Sequence, residues 1–389
     1  MMGGGSEKRQ LYMTVAIDGL DYLDCVQLAE AAERACLHAI LVPDSSMSPT
    51  PQEATGLVGQ RASANGYAAS SAVLEPFTLL AALSASTSTI GLIAEIHTAF
   101  HEPFHAARKL AALDYMSSGR AGCLVLPGQE NAAANFARTD KQQMRLPCYE
   151  AAAAAEFGEA LRQLWDSWDD DALMYDKQAG LQFDEAKVRE VHYTGRYYST
   201  RGPLNIARPP QGYPPLVARI REQADKQPDM LAAASGADVI IIEPQSLEEA
   251  AKLACELREL MRQQGRQPEQ CRILASVMPV VHSSANRAEC SLQMGGGCEG
   301  RATEDEFSRE GNAQQLADWM RKWQLSGAVD GFHMELPPHA ALDSFRYVEE
   351  RIIPELQRRG VFRQAAIDGG TLRDQLALPR PINSFHAVR

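Results

Sequence analysis

Three histidines recur at four-residue spacing in one short stretch: His97, His101 and His105. Imidazoles titrate near neutrality and suit proton transfer, and two of them four apart on one helix face can also hold a metal. Pro103 argues against the metal. Proline fits the first turn of a helix, where its missing N–H costs nothing, so a helix starts there. His97 and His101 then lie on the turn before it. Both imidazoles are then candidates for proton transfer, with no metal expected. Thr98 shares that turn. Asp44 ends an earlier apolar run and either faces the same pocket or caps the next loop. The triplet Asp169-Asp170-Asp171 reads as a solvated helix end, because three consecutive residues cannot all face one ion. Gly295-Gly-Gly297 lacks the strand–helix context of a phosphate loop.

The elements that position these residues are legible around them. Ile90 to Ile96 is an apolar, β-branched run, as buried parallel strands are. A helix from Pro103 follows, with Ala107, Leu110, Ala111 and Leu113 at three- and four-residue spacing, ending at Ser117-Ser118-Gly119, where glycine can take the left-handed cap. Arg120 to Leu126 is the next strand. This strand–helix–strand unit places His97, Thr98 and His101 at the carboxyl end of a parallel strand, where α/β folds keep their chemistry. Similar units recur about eight times. Strands are expected at Leu11–Ile17, His38–Asp44, Leu216–Ile220, Ala237–Ile242, Arg272–Val281 and Val329–Glu335. Helices are expected at Asp21–Cys36, Glu75–Ser86, Tyr149–Trp168, Pro228–Ser235, Leu247–Arg262, Ala313–Leu325 and Leu342–Arg358. The fold class is a (β/α)8 TIM barrel with insertions. Residues 11–360 form the barrel, with insertions at about 45–72, 169–214 and 286–311. Residues 1–10 read as a disordered N-terminal segment, and 361–389 as an extension packed on the barrel.

The 389 residues can bury a large core, and 45% hydrophobic with 23% charged residues is ordinary for a soluble protein. A net charge of −12 disfavours nucleic acid and anionic membrane as partners. No window approaches a membrane span, and the 8 cysteines, without a CxxC pair, suit reduced thiols in the cytoplasm.

Several runs of residues also resemble a known family. Glu75-Pro-Phe-Thr-Leu-Leu80, Ile90-Gly-Leu92, Glu102-Pro103, Leu113-Asp114, Gly119-Arg-Ala-Gly122, Leu164-Trp-Asp-Ser-Trp168 and Arg201-Gly-Pro-Leu-Asn205 are among them. So are Asp330-Gly-Phe332, Ile353 to Gly360 and Thr371-Leu-Arg-Asp374. Together they resemble the bacterial-luciferase-like flavin-dependent monooxygenases, in the branch with nitrilotriacetate and dibenzothiophene-sulfone monooxygenases. The resemblance implies a barrel that takes reduced FMN from a separate flavin reductase, reacts with O2 and oxygenates a small organic substrate. It implies flavin contacts at Asp44 and Thr98, and pairing of two chains as a homodimer or as a heterodimer with a related subunit. Leu23, Val26 and the helix 75–86 are candidates for that pairing.

Three segments depart from the family pattern. Where its members carry Trp-Asn-Val-Val-Thr-Ser, this chain has Cys123-Leu124-Val125-Leu126-Pro127-Gly128. The Arg-Tyr near the phosphate is represented only by Tyr149, after a two-residue shift. The phosphate cradle is replaced by Arg219-Ile-Arg221-Glu-Gln223, so Arg219 and Arg221 become the expected phosphate contacts. The reading is an FMN-dependent, two-component monooxygenase. The alternatives are a barrel that has lost the usual FMN site and serves as a ligand-binding or accessory subunit, and an enzyme that uses His97 and His101 without flavin.

Overall fold

Eight short apolar runs pair in chain order and close on themselves. In the computed structural model, which describes residues 10–44, 74–127, 151–221, 226–284, 287–294, 308–337 and 340–386, the strands are β1 (Tyr12–Ala16), β2 (Ala39–Val42), β3 (Gly91–His97), β4 (Ala121–Leu126), β5 (Leu216–Ile220), β6 (Val239–Ile242), β7 (Arg272–Ser284) and β8 (Gly331–Met334). Each is parallel to its neighbours, β8 pairs with both β1 and β7, and β6 pairs with β7, so the sheet is a closed barrel. The helices between them are α1 (Tyr22–Arg34), α2 (Pro76–Ser86), α3 (Pro103–Met116), α4 (Ala151–Trp165), α5 (Gln227–Gly236), α6 (Leu247–Gln263) and α7 (Ala313–Leu325). The expected (β/α)8 barrel is the fold observed.

Alternation along the strands sorts the core into two shells. Met13, Val15, Ile40, Val42, Leu92, Ile96, Ile240, Ile242, Phe332 and Met334 point outward to the helices. Ala39, Leu41, Ile93, Leu124, Leu126, Val217, Val239, Ile241 and Leu274 point into the barrel. Its amino-terminal end is stopped by the C-terminal segment, whose Leu372, Leu376 and Leu378 join this inner shell. Gly91 makes room for the stopper: a Cβ there would lie 2.4 Å from Leu372 Cδ1. Arg373 holds the segment in place through Asp238 at 3.1 Å and the carbonyl of Tyr213 at 2.7 Å. Burying three leucines contributes roughly 1.5–3 kcal/mol each before ordering costs.

Arg120, just before β4, is almost wholly buried and donates to the carbonyls of Ser84, Thr87, Ile90 and Ser117 and to the Thr87 hydroxyl. It locks α2 and α3 to the base of β3.

Four expectations need correction. Asp169 is not solvated: it is 7% exposed and pairs with Arg189, while Asp170 bridges Arg208 and Arg380. Only Asp171 fits the expected solvated end, paired with Lys187 on the surface. Helix α4 ends at Trp165, before the triplet. The insertion after β7 is partly regular, since Arg287–Met294 runs antiparallel to the upper half of β7 and Ser308–Gly311 pairs with it in turn. The single helix expected over 342–358 is two, α8 (Ala341–Tyr347) and α9 (Ile353–Arg358), joined by a π-turn over Val348–Ile352. Pro354 explains this, because it has no N–H to continue the ladder and its ring crowds the carbonyl four residues back. Tyr149, the excursion 45–72 and Gly295-Gly-Gly297 lie outside the described residues.

Candidate active site in the barrel mouth

The inward register that fills the lower barrel with leucine and isoleucine turns polar toward the carboxyl end. Thr14 on β1, Glu95 and His97 on β3, Arg219 on β5, Ser276 on β7 and His333 on β8 all continue the inward phase, and Glu243 and Glu335 follow β6 and β8 in the same phase. Thr14, Glu95, His97, Ser276 and His333 are all buried. A buried polar group needs partners, and this band supplies most of its own.

On β3 the carboxylate and imidazole form a pair. Glu95 Oε1 lies 3.0 Å from His97 Nε2, and the other ring nitrogen, Nδ1, lies 3.2 Å from the carbonyl oxygen of Pro127 at the exit of β4. Burial raises the Glu95 carboxyl, but the His97 hydrogen bond and charge, with Arg219 and Arg221 behind them, bring it below its ordinary value. Burial likewise opposes charge on His97, and the Glu95 hydrogen bond and charge outweigh it, so its pKa is raised. His101 is the opposite case. Its Nδ1 donates to the His97 carbonyl at 3.1 Å, which leaves Nε2 as the lone-pair nitrogen, and burial lowers its pKa despite that bond. Two histidines four residues apart are pushed in opposite directions, the usual mark of an acid beside a base.

Arg219 is the hub of the far wall. Its Nη1 meets Glu335 Oε1 at 2.8 Å and Glu243 Oε1 at 3.8 Å, and its Nη2 donates to His333 Nε2 at 3.3 Å. His333 Nδ1 therefore carries the proton and donates to Thr14 Oγ1 at 2.8 Å. Burial and the neighbouring Arg219 charge hold His333 well below its usual value, hence neutral. Three buried atoms around His333 lack a directed hydrogen bond among the described residues: Arg219 Nε, Ser276 Oγ and Glu335 Oε1. Ser276 is the strand partner of His333, and Glu335 stands two residues further along the same face. The Glu335–Arg219 contact is thus an ion pair without hydrogen-bond alignment.

The remaining expected site residues are placed as follows. Thr98 is 1% exposed, opens the short turn Thr98–Phe100, and accepts from the Tyr198 hydroxyl through its carbonyl at 3.2 Å. Asp44 ends the described part of the β2 exit and acts on both His97 and His101 through its charge. Arg221 is exposed, one residue beyond β5. Leu124 sits beside Leu126 in the inner apolar shell, so the departure at Leu124 makes that wall of the barrel hydrophobic. Cys123 faces outward, fully buried, and burial raises its thiol well above the ordinary value. Arg219 also lines a crevice between α4 and α5, with Ala155, Gly158, Arg162 and Gly236 on its walls. His101 and Thr98 stand on the turn that follows β3, and Asp44 reaches His97 and His101 through its charge. The band itself brings His97 and Arg219 together with five residues that the sequence reading passed over: Thr14, Glu95, Ser276, His333 and Glu335. Their signal was the period-2 phase inside runs such as GLIAEIH and GFHM. Among the described residues no group of three potential metal ligands occurs, and no helix is long and apolar enough to cross a membrane.

A family model described as luciferase-like monooxygenase matches residues 8–329. The chain belongs to this family. Among luciferase-like relatives, N-acetyl-S-(2-succino)cysteine monooxygenase of Bacillus subtilis (strain 168) is 31% identical over 94% of this chain and 91% of that protein. Nitrilotriacetate monooxygenase component A of Aminobacter aminovorans is 31% identical over 80% of each. The structure of EDTA monooxygenase from Chelativorans sp. BNC1 superposes with a TM-score of 0.72 at 22% identity, covering 96% of this chain and 99% of that one. The last comparison bears on the fold alone.

The family resemblance implies reduced FMN, and the barrel mouth can be tested against it. The polar edge of the flavin ring reads acceptor, donor, acceptor. Arg219 Nε can donate, Glu335 Oε1 can accept and Ser276 Oγ can donate, and all three are buried atoms without a directed partner. The apolar wall of Leu124, Leu126 and Val217 suits the ring face. The residues present fit the ring.

Proposed function

We propose that this chain is the oxygenating component of a two-component, FMN-dependent monooxygenase acting on a small organic substrate, with reduced FMN delivered by a separate flavin reductase. The observation that carries this reading is a trio of buried atoms without a directed hydrogen bond, Arg219 Nε, Ser276 Oγ and Glu335 Oε1 (the last held only by its ion pair with Arg219), around His333 at the carboxyl end of the barrel. Buried polar atoms without a directed hydrogen bond are costly, and a ring with a complementary edge would supply one to each. Arg219, Ser276 and Glu335 would hold that edge, and exposed Arg221 would face the phosphate. Asp44 and Thr98 would flank the ring from β2 and β3. Bound reduced FMN would supply the electrons for O2 activation.

The protein's own part is to orient, to exclude water and to manage protons. The inner shell below the polar band keeps the floor dry. His97, doubly hydrogen-bonded to acceptors, holds a proton, and neutral His101 can accept one at Nε2. The two chains are proposed to pair through α1, where Leu23 is 74% exposed, and the protein is proposed to work in the cytoplasm. Oxygen reactivity tests the reading. Mixing the anaerobic protein–reduced FMN mixture with O2 in a stopped-flow instrument should give a reoxidation trace distinct from that of free reduced FMN. An identical trace at saturating protein would sink it.

A further inference from the structure

We propose that Glu95 is a positioning residue that fixes His97 as a buried imidazolium and so makes it the proton donor of the barrel mouth. The inference rests on the oxygenase reading for its chemistry but on geometry for the charge. Both ring nitrogens of His97 face atoms that can only accept: an ionised carboxylate at 3.0 Å and a proline-preceding-loop carbonyl at 3.2 Å. A carbonyl has no proton to give, so Nδ1 carries one. The Glu95 carboxyl, held below its ordinary value, is ionised near neutral pH and has none either, so Nε2 carries the second.

Residues two apart on a strand are separated by about 6.6 Å, twice the rise per residue. Glutamate is long enough to span that step beside its own strand, and aspartate is one methylene short. His97 is also surrounded so that the charge is stable. Glu95 lies on its own strand, the Pro127 carbonyl at the β4 exit, and Asp44 at the β2 exit, while Arg219 on β5 and Arg221 just beyond it act through Glu95. His101, on the following turn, is tied to the His97 carbonyl and not to its ring.

Oxygenation consumes one O2, two electrons and two protons for each oxygen atom inserted, and the second oxygen leaves as water. The Nδ1 proton, on the longer bond to Pro127, is the one that can leave toward that oxygen. His97 then becomes neutral, keeps its Nε2–H bond to Glu95, and regains a proton at Nδ1 before the next turnover. A tie that only braced the exits of β3 and β4 would need no charge.

The test is the titration of His97 by NMR of its ring nitrogens in the flavin-free protein, wild type and Glu95→Gln. Glutamine keeps the size and an accepting oxygen but removes the charge. In the wild type His97 should remain doubly protonated above the ordinary histidine midpoint of about 6.5, and in E95Q the midpoint should fall by about 1–3 pH units. The alkaline limb of the kcat profile should move with it, while affinity for reduced FMN stays within about twofold. A singly protonated His97 in the wild type near neutral pH overturns the proposal without any variant, and so does an unchanged midpoint in folded E95Q. Reduced-FMN binding to the same samples separates the two claims. Binding with a neutral His97 removes only this inference, whereas a charged, Glu95-dependent His97 in a protein that binds no flavin removes the oxygenase reading.

Discussion

Arg219 is where stability and ligand binding meet, and Arg219→Met separates them. Methionine keeps most of the aliphatic stem and removes the guanidinium. In the folded protein Arg219 and Glu335 are 12% and 19% exposed and stand 2.8 Å apart, so screening by solvent is slight. Removing one member of a buried ion pair typically costs about 3–5 kcal/mol, because the other charge stays behind. Here Glu243 also faces the vacated position, and His333 Nε2 loses its donor. The expected loss is therefore in that range, against a total stability of roughly 5–15 kcal/mol. Urea denaturation of the flavin-free protein reads it directly. The double variant Arg219→Met/Glu335→Gln should be less destabilised than the sum of the singles, by about 0.5–3 kcal/mol, since neither charge remains. If R219M stays within about 0.5 kcal/mol of the wild type, as surface substitutions do, Arg219 is not held by the carboxylates and the reasoning fails.

Two further outcomes follow from other parts of the barrel. Gly91→Ala should destabilise by about 1–3 kcal/mol through overpacking, because its Cβ would meet Leu372 Cδ1 at 2.4 Å and the His38 carbonyl at 3.0 Å; Leu372→Ala in the same chain should relieve part of that clash, and strictly additive denaturation midpoints would show that the stopper is not seated there. Asp114 is buried, and burial raises its carboxyl to about 7 despite donors from Gln211 and Ala121. Its folded pKa lies above its unfolded one, so the folded state holds the extra proton between about 4 and 7 and stability should fall as pH rises through that window. Asp114→Asn should flatten this dependence in melting curves taken at several pH values; an equally steep dependence in the variant would exclude Asp114 as its source.

The barrel was legible because its strands are short apolar runs and its helices carry three- and four-residue spacing. The positions of His97, His101, Thr98 and Asp44 at strand ends were legible, and strand ends are where α/β barrels keep their chemistry. The rest of the site was hidden by its own context. Glu95 lies inside GLIAEIH and His333 inside GFHM, runs read as apolar strand in which one polar residue looks incidental. Only closure of the barrel shows that these residues share the inward phase with Arg219 and Ser276. Arg219 was expected to meet a phosphate, and its ion pairs with Glu335 and Glu243 come from strands more than twenty residues away in sequence, which no local pattern reveals. Asp169 was misjudged for the same reason, since Arg189 reaches it from a later segment. The departures at Leu124 and Pro127 were visible, but the consequence of the first, a hydrophobic wall with Leu126 facing the polar trio, needed the register.

The central claim is that the polar trio and Arg221 receive reduced FMN. Anaerobic calorimetry of reduced and oxidised FMN binding to the whole protein tests it most directly. The account predicts a Kd for reduced FMN near about 1 μM, equivalent to roughly −8 kcal/mol, weakened about tenfold by either Ser276→Ala or Arg221→Ala. Absence of binding heat for both flavin forms at high protein concentration would contradict it, and would leave the barrel as a ligand-binding or accessory subunit.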